Sequence, residues 1–244
     1  MVGGDGRGVR PQLVKERARP APLPRLILTD SVYEAVKELV MDQHIEPGAR
    51  VNIDQLAREL RVSPTPIREA LARLEMDGLV IKEPLRGYSI APILDSSAFE
   101  QLYEVRGLIE PFAARRACER ANRQLVAALQ REIDAMRRTI DGLRPEKPLG
   151  YRDYREFAFQ DARFHEAIAT ASGNELLGET LSRLSSHLHL YRLYYATGIG
   201  PETVAEHEAI VKAIAAHQPD DAAAAMAEHI KRSQGRQRRA FDTT

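Results

Sequence analysis

Apolar residues recur at three- and four-residue spacing through most of this chain, the period of amphipathic helices. Val32, Val36, Leu39 and Val40 share one helix face, and after a Pro47-Gly48 turn Ile53, Leu56, Ala57 and Leu60 share another. A tight step through Arg61 and Val62 leads to a third helix, which carries Ile67, Leu71 and Leu74 on one side and Thr65, Arg68 and Ala72 on the other. Gly78 stops it. The pattern then shortens to two strand-like runs, 79–82 and 88–91, around Glu83-Pro84-Leu85-Arg86-Gly87. Three helices and a hairpin predict a winged helix-turn-helix over 25–92. Beyond Asp95 the helical period returns and stays, over 96–120, 122–140, 151–171, 174–196, 201–216 and 220–238. The expected fold is mainly α, with an all-helical bundle over 93–240.

The start of the third helix is the most specific local signal. Ser63 suits an N-cap, Pro64 falls at the first helical position where a missing N–H costs nothing, and Pro66 is still inside the first turn. The outward face of such a helix is fit to enter a major groove with its N-terminal end leading. Ser63, Thr65, Pro66 and Arg68 are therefore the candidate DNA contacts, with Arg86, Gly87 and Tyr88 at the wing tip and Arg50 as a weaker member. Net charge gives no support: residues 25–92 hold nine Lys and Arg against eleven Asp and Glu. Any basic footprint for nucleic acid must be local.

Composition removes several classes. The chain has 244 residues, enough for two modest domains, with 35 basic and 35 acidic side chains. No apolar run approaches the roughly 20 residues that span a bilayer, and the opening stretch lacks the apolar core of a secretory signal. No membrane partner and a cytoplasmic location are expected. A lone cysteine, Cys118, excludes an internal disulfide framework and a multi-cysteine zinc ribbon. Residues 1–24, rich in Gly, Pro and Arg, read as a disordered arm.

The helical part carries a second set of chemistry-bearing residues. Asp161 and His165, four apart, project from one helix face together with Phe157, Phe164 and Ile168. Two later helices each set one histidine among apolar neighbours: His207 beside Val204, Ile210, Val211 and Ile214, and His229 beside Ala225, Met226 and Ile230. If these helices pack together, three imidazoles and a carboxylate converge, a nitrogen and oxygen donor set that suits zinc, nickel, iron or manganese. The alternative is that the acid and histidine form an ordinary pair and the other histidines are hydrogen-bonded core residues. His44, His187, His189 and His217 show no such arrangement.

In the order of its two parts the chain resembles the GntR family of bacterial transcription regulators, in the FadR-like branch with a C-terminal FCD ligand-binding domain. The resemblance spans roughly residues 28–235. It is carried by Leu56-Ala57-Arg58-Glu59-Leu60, by the run from Val62 to Leu71 with Leu74, by Asp77-Gly78-Leu79-Val80, and by Gly87. In the second part it is carried by Tyr103-Glu104-Val105-Arg106 with Glu110, Asp161 with Phe164-His165, Gly173-Asn174 with Leu177, Glu206-His207 with Ile210, and Glu228-His229-Ile230. The resemblance implies a divalent metal held by Asp161, His165, His207 and His229, zinc first with nickel or manganese as alternatives, and a small organic acid beside it. Two departures bear on DNA: many relatives have Arg at the position of Pro64, and the fatty-acid-responsive type member has Arg at the position of Asp54.

A carboxylate effector needs a cation besides the metal. Arg106, on the inner face of the first long helix with Leu102, Ile109 and Ala113, is the candidate clamp, and a salt bridge to Glu110 is the competing use. Asn174 is a second candidate effector contact, although capping the next helix accounts for it equally. The resulting expectation is a metabolite-responsive regulator that binds double-stranded operator DNA as a homodimer and answers to a small carboxylic acid. The competing readings are a metal-dependent hydrolase and a DNA-binding protein whose helical domain only dimerises. Against the hydrolase stands the lack of an adjacent His-Asp pair or a His-Glu-x-x-His run.

Overall fold

Side-chain caps start three of the helices and fix where the chain turns inward. Asn52, Asp95 and Asn122 each accept the backbone N–H three residues on, from Gln55, Ala98 and Leu125. The computed structural model describes residues 25–143, 151–184 and 200–239. The 1–24 arm, the later half of the helix expected over 174–196, and both His187 and His189 lie outside these residues.

The first unit consists of α1 (Arg25–Met41), α2 (Ile53–Glu59), α3 (Pro64–Met76), β1 (Val80–Glu83) and β2 (Gly87–Ile90). The strands pair antiparallel with Val80 opposite Ile90 and Glu83 opposite Gly87, and a bridge from Arg50 to Ser89 adds a short third edge. Each strand sits one residue away from the sequence-based range, because the ladder runs to Glu83 and starts at Gly87. Leu85 and Gly87 take positive φ, which closes the tight wing tip. The core is built from the periodic positions, among them Val36, Val40, Ile67, Leu71, Leu74, Leu79 and Ile90.

Two expectations at the front of α3 change. Ser63 occupies the N-cap position but makes no side-chain cap hydrogen bond. Pro66 stands at the third helical position, so one of the N–H groups such a cap would bind does not exist. Pro66 itself is buried rather than on the outward face.

The second unit contains α4 (Ser96–Glu119), α5 (Arg123–Gly142), α6 (Tyr151–Ala171), α7 (Glu175–Leu184), α8 (Pro201–Ala215) and α9 (Pro219–Arg238). α4 packs along α9 and α6, and α8 lies against α5 and α9. Phe99, Leu129, Ile133, Met136, Phe164, Ile210 and Ile214 fill the space between them. Pro111 sits inside α4 without ending it. At Gly173, φ is +73°, the left-handed region that favours glycine at the α6–α7 corner.

α6 ties the two units together. Tyr151 at its start is buried in the core of the first unit, and its N–H donates to Asp42 Oδ1 at 2.6 Å. Arg155 faces Glu34 at 3.7 Å, and Lys37 Nζ lies 4.8 Å from the Phe159 ring centre. One helix thus begins in the winged-helix core and carries Asp161 and His165 in the bundle.

Candidate metal centre and DNA-reading surface

α6, α8 and α9 bring three histidines to one place inside the bundle. His165, His207 and His229 are all buried, and one ligand nitrogen from each lies within 4.8 Å of the others. Asp161 Oδ1 stands 3.5 Å from His207 Nε2 and 4.0 Å from His165 Nε2, so a carboxylate from the same helix as His165 borders two of the three rings. His207 stacks on Phe164 with ring centres 4.0 Å apart and planes 11° apart. Three residues of the sequence-derived set, the histidines, are therefore together, and the fourth, Asp161, borders two of them.

The unsatisfied atoms are what make this more than a polar patch in a core. Both ring nitrogens of His207, and Nε2 of His165, are buried without a hydrogen-bond partner among the described residues. A buried polar atom left bare costs roughly 1–3 kcal/mol. Lone pairs converging on one point recover that cost when a cation takes them, so the residues fit a divalent metal.

Two carboxylates stand behind the histidines. Glu110 on α4 receives Arg106 Nε–H at 2.6 Å and places its other oxygen 2.5 Å from His165 Nδ1, at ion-pair distance but out of line for a hydrogen bond. Glu206 on α8 lies 2.9 Å from His229 Nδ1 and is gripped by Arg236. Burial alone would raise the pKa of Glu110, but Arg106 and then His165 outweigh it and hold the carboxyl well below the usual range. Glu206 follows the same logic, with burial opposed by His229 and Arg236, and its pKa falls to about 2. Both are ionised at neutral pH. Among the histidines, burial and then the charges of His229 and His165 push His207 well below the ordinary imidazole value, and burial also lowers His229. His165 moves up, because Glu110 overcomes the effect of burial.

Of the two uses foreseen for Arg106, the salt bridge to Glu110 is the one present, and the pair is buried. Asn174 is exposed and accepts Leu176 N–H at 3.2 Å, acting at the start of α7. Glu206 and Arg236 received no role from sequence. The signal was there in part, since Glu206 adjoins His207 and Arg236 follows His229 two turns later on α9, but nothing local shows that they meet. Both line an open groove of 1240 Å³ between α8 and α9, with Thr203, His229, Arg232 and Ser233.

On the first unit, Ser63, Thr65 and Arg68 are exposed along the leading end of α3, and Arg86 and Gly87 are exposed at the wing tip beside half-buried Tyr88. Arg50 is exposed where its strand edge meets the wing. Arg73, later on α3, is engaged elsewhere: it pairs with Asp30 at 2.7 Å and lies over the Tyr33 ring at 4.0 Å.

The model for bacterial regulatory proteins of the gntR family matches residues 28–90, and the FCD domain model matches residues 101–232. The chain belongs to the GntR family. It is a transcriptional regulator of GntR/FCD type. The Nta operon transcriptional regulator of Aminobacter aminovorans is 30% identical over 196 residues, covering 80% of this chain and 87% of that one. The putative L-lactate dehydrogenase operon regulatory protein of Escherichia coli (strain K12) is 29% identical over 234 residues, 85% of each chain. Among solved structures, E. coli McbR/YncC superposes with a TM-score of 0.67 at 21% identity, covering 88% of this chain and 98% of that one, which shows the shared fold. Relatives that are regulators remove the hydrolase reading. Among the described residues of this GntR regulator, no helix is long and apolar enough to cross a membrane.

Proposed function

We propose that this GntR regulator is metabolite-responsive, that its FCD domain holds one divalent metal through Asp161, His165, His207 and His229, and that a small carboxylic acid binds beside the metal. Zinc is the first choice of ion, with nickel or manganese next. The observation that carries the reading is the convergence of three buried imidazoles, with both nitrogens of His207 and Nε2 of His165 lacking a hydrogen-bond partner among the described residues. Such an ion, when bound, supplies open positions for carboxylate or hydroxyl oxygens. Arg106 spends Nε on Glu110, so an acid would meet only its terminal nitrogens. The relative named for an L-lactate dehydrogenase operon favours a small hydroxy acid as the effector class.

Double-stranded operator DNA is read by Ser63, Thr65 and Arg68 on α3 with Arg50 and the wing residues Arg86, Gly87 and Tyr88. Coupling has a physical carrier in α6, which plants Tyr151 in the winged-helix core at its start and holds Asp161 and His165 further along, inside the bundle. The cytoplasm, where the operator is, is the place of action.

Calorimetry of small hydroxy acids against zinc-loaded and chelated protein tests the reading. Binding only to the loaded form, with a change in operator affinity, is expected. By linkage, operator DNA must then change the acid's affinity by the same factor. Equal binding to both forms rules out the metal as the anchor.

The functional unit is a homodimer, and α4 offers the face for it. Val105, Leu108 and Phe112 share one side of that helix at 37, 70 and 50% exposure, opposite the buried side that carries Arg106 and Glu110. A second copy of the chain, presenting the same stripe about a two-fold axis, would cover it. Introducing charge there as Leu108→Asp with Phe112→Asp should give a folded monomer at micromolar concentration by analytical ultracentrifugation, with operator affinity lowered because two half-sites are no longer linked. A double variant that sediments as a dimer moves the interface elsewhere.

A further inference from the structure

Two of the three clustered histidines share a backing that the third lacks. His165 Nδ1 lies 2.5 Å from Glu110 Oε2, while Glu110 Oε1 accepts Arg106 Nε–H at 2.6 Å. His229 Nδ1 lies 2.9 Å from Glu206 Oε2, while Arg236 donates Nη1–H to Oε1 at 2.6 Å and Nη2–H to Oε2 at 2.8 Å. The same sequence of groups, arginine then carboxylate then imidazole, is built twice from different elements: α4 with α6 and α8 with α9. His207, by contrast, is set by its stack on Phe164.

The chemistry of this backing is directional. An ionised carboxylate only accepts hydrogen bonds, so the ring nitrogen it faces must carry the proton, and the lone pair of a neutral imidazole is then on the other nitrogen. The arginine holds the carboxylate in one rotamer, and the carboxylate holds the ring. In His165 it is Nδ1 that faces the carboxylate, at ion-pair distance, and Nε2 that looks toward Asp161 Oδ1 at 4.0 Å.

We infer that Glu110 and Glu206 are positioning residues: each, fixed by its arginine, keeps His165 or His229 with Nδ1 protonated and Nε2 bare toward the shared centre. The inference rests on the reading of the cluster as a metal site, and partners of this kind are worth roughly 10- to 100-fold in metal affinity. Glu206 is the residue to test first, because Arg236 is part-exposed and can be solvated when the carboxylate is gone. Glu110 lies buried between two donors, and its removal would leave Arg106 unpaired in the interior. Glu110→Gln is the gentler change, with one amide oxygen for two donors.

The test compares parent, Glu206→Ala, Glu206→Gln and Glu110→Gln by two measurements. Long-range proton–nitrogen correlation spectra of the metal-free proteins near pH 8.5 read the imidazole tautomers, and competition with a chromophoric chelator reads the zinc dissociation constant. The parent should show His165 and His229 as Nδ1–H tautomers. Glu206→Ala should release His229 to a mixture and weaken zinc by about 10- to 100-fold. Glu206→Gln keeps an acceptor and should stay within a few-fold of the parent, and Glu110→Gln should fall between the two. A folded Glu206→Ala protein with an unchanged His229 tautomer and unchanged zinc affinity overturns the inference and leaves the carboxylate a packing element. A parent that binds no zinc, yet loses the His229 tautomer in Glu206→Ala, supports the positioning and overturns the metal reading instead.

Discussion

Purified parent protein is expected to hold about one equivalent of divalent metal per chain, and His207→Ala to hold far less. His207 is the most buried member of the cluster, and neither of its ring nitrogens has a hydrogen-bond partner among the described residues. Its removal takes away one donor from the centre and leaves the carboxylate and two histidines on a wider ring. Because the truncation also opens a space against Phe164, the decisive quantity is the metal-dependent change in melting temperature, not the melting temperature itself. A ligand at about a thousand times its dissociation constant stabilises by about 4 kcal/mol, which for a chain of this size is on the order of 10 °C. Chelation should lower the parent's melting by that order and leave His207→Ala unmoved. Elemental analysis finding no metal in the parent, with no shift on adding zinc, nickel or manganese, sinks the site.

The same centre should release its metal in acid. Ligation needs neutral imidazoles, and His207 and His229 have folded-state values lowered from 6.5, chiefly by burial. A lowered value in the fold means that the unfolded chain takes up the proton first, so the stability these two contribute is complete above about pH 6.5 and declines below it. His165, raised by Glu110, runs the other way: its contribution is complete below the unfolded value and is lost as pH rises through the folded one. His207 lies well below the ordinary value and His229 moves the same way, so these two set the direction. Metal-free protein should therefore melt at lower temperature at about pH 5 than at about pH 7, and metal occupancy should follow the same direction. A melting temperature higher at about pH 5 than at about pH 7 would overturn this expectation.

Arg68→Ala should cost roughly 1–3 kcal/mol of operator affinity at each DNA head, about 5- to 150-fold, and a dimer carries the loss twice. The residue is exposed on α3 between Thr65 and the body of the helix, where a docked recognition helix presents side chains to base edges. Arg73→Ala makes the contrast. Arg73 is spent on Asp30 and Tyr33, so its loss should leave operator binding within a few-fold of the parent. Gel-shift titration at several salt concentrations measures both, and specific binding should weaken steeply with salt. Full operator binding by a folded Arg68→Ala protein removes that side chain from the interface.

Pro64 enters the same balance. This chain has an apolar ring at the first helical position, so in the proposed DNA contact the groups available at the leading end of α3 are short hydroxyls and Arg68. Pro66 adds nothing to that face, since it is buried. An operator read this way depends more on Arg68 and on the wing than one read with a further arginine.

The sequence by itself determined the elements. Helix and strand period and the stop at Gly78 are local, because 3.6-residue and two-residue repeats follow from backbone geometry alone. The pairing of Asp161 with His165 was legible for the same reason: residues four apart on a helix are neighbours whatever surrounds them. That His207 and His229 meet them was only a conditional statement in sequence, since it depends on how α6, α8 and α9 dock, and docking is set by side-chain packing between distant segments. Packing also decided what spacing left even. Arg106 went to Glu110, because a guanidinium buried in the bundle needs a carboxylate at hand. Tyr151 left the bundle for the winged-helix core, Pro66 turned inward under α3, and Glu206 and Arg236, far apart in the chain, closed behind His229. Local periodicity fixes which face of a helix is apolar; only the assembled core fixes which polar groups on those faces find one another.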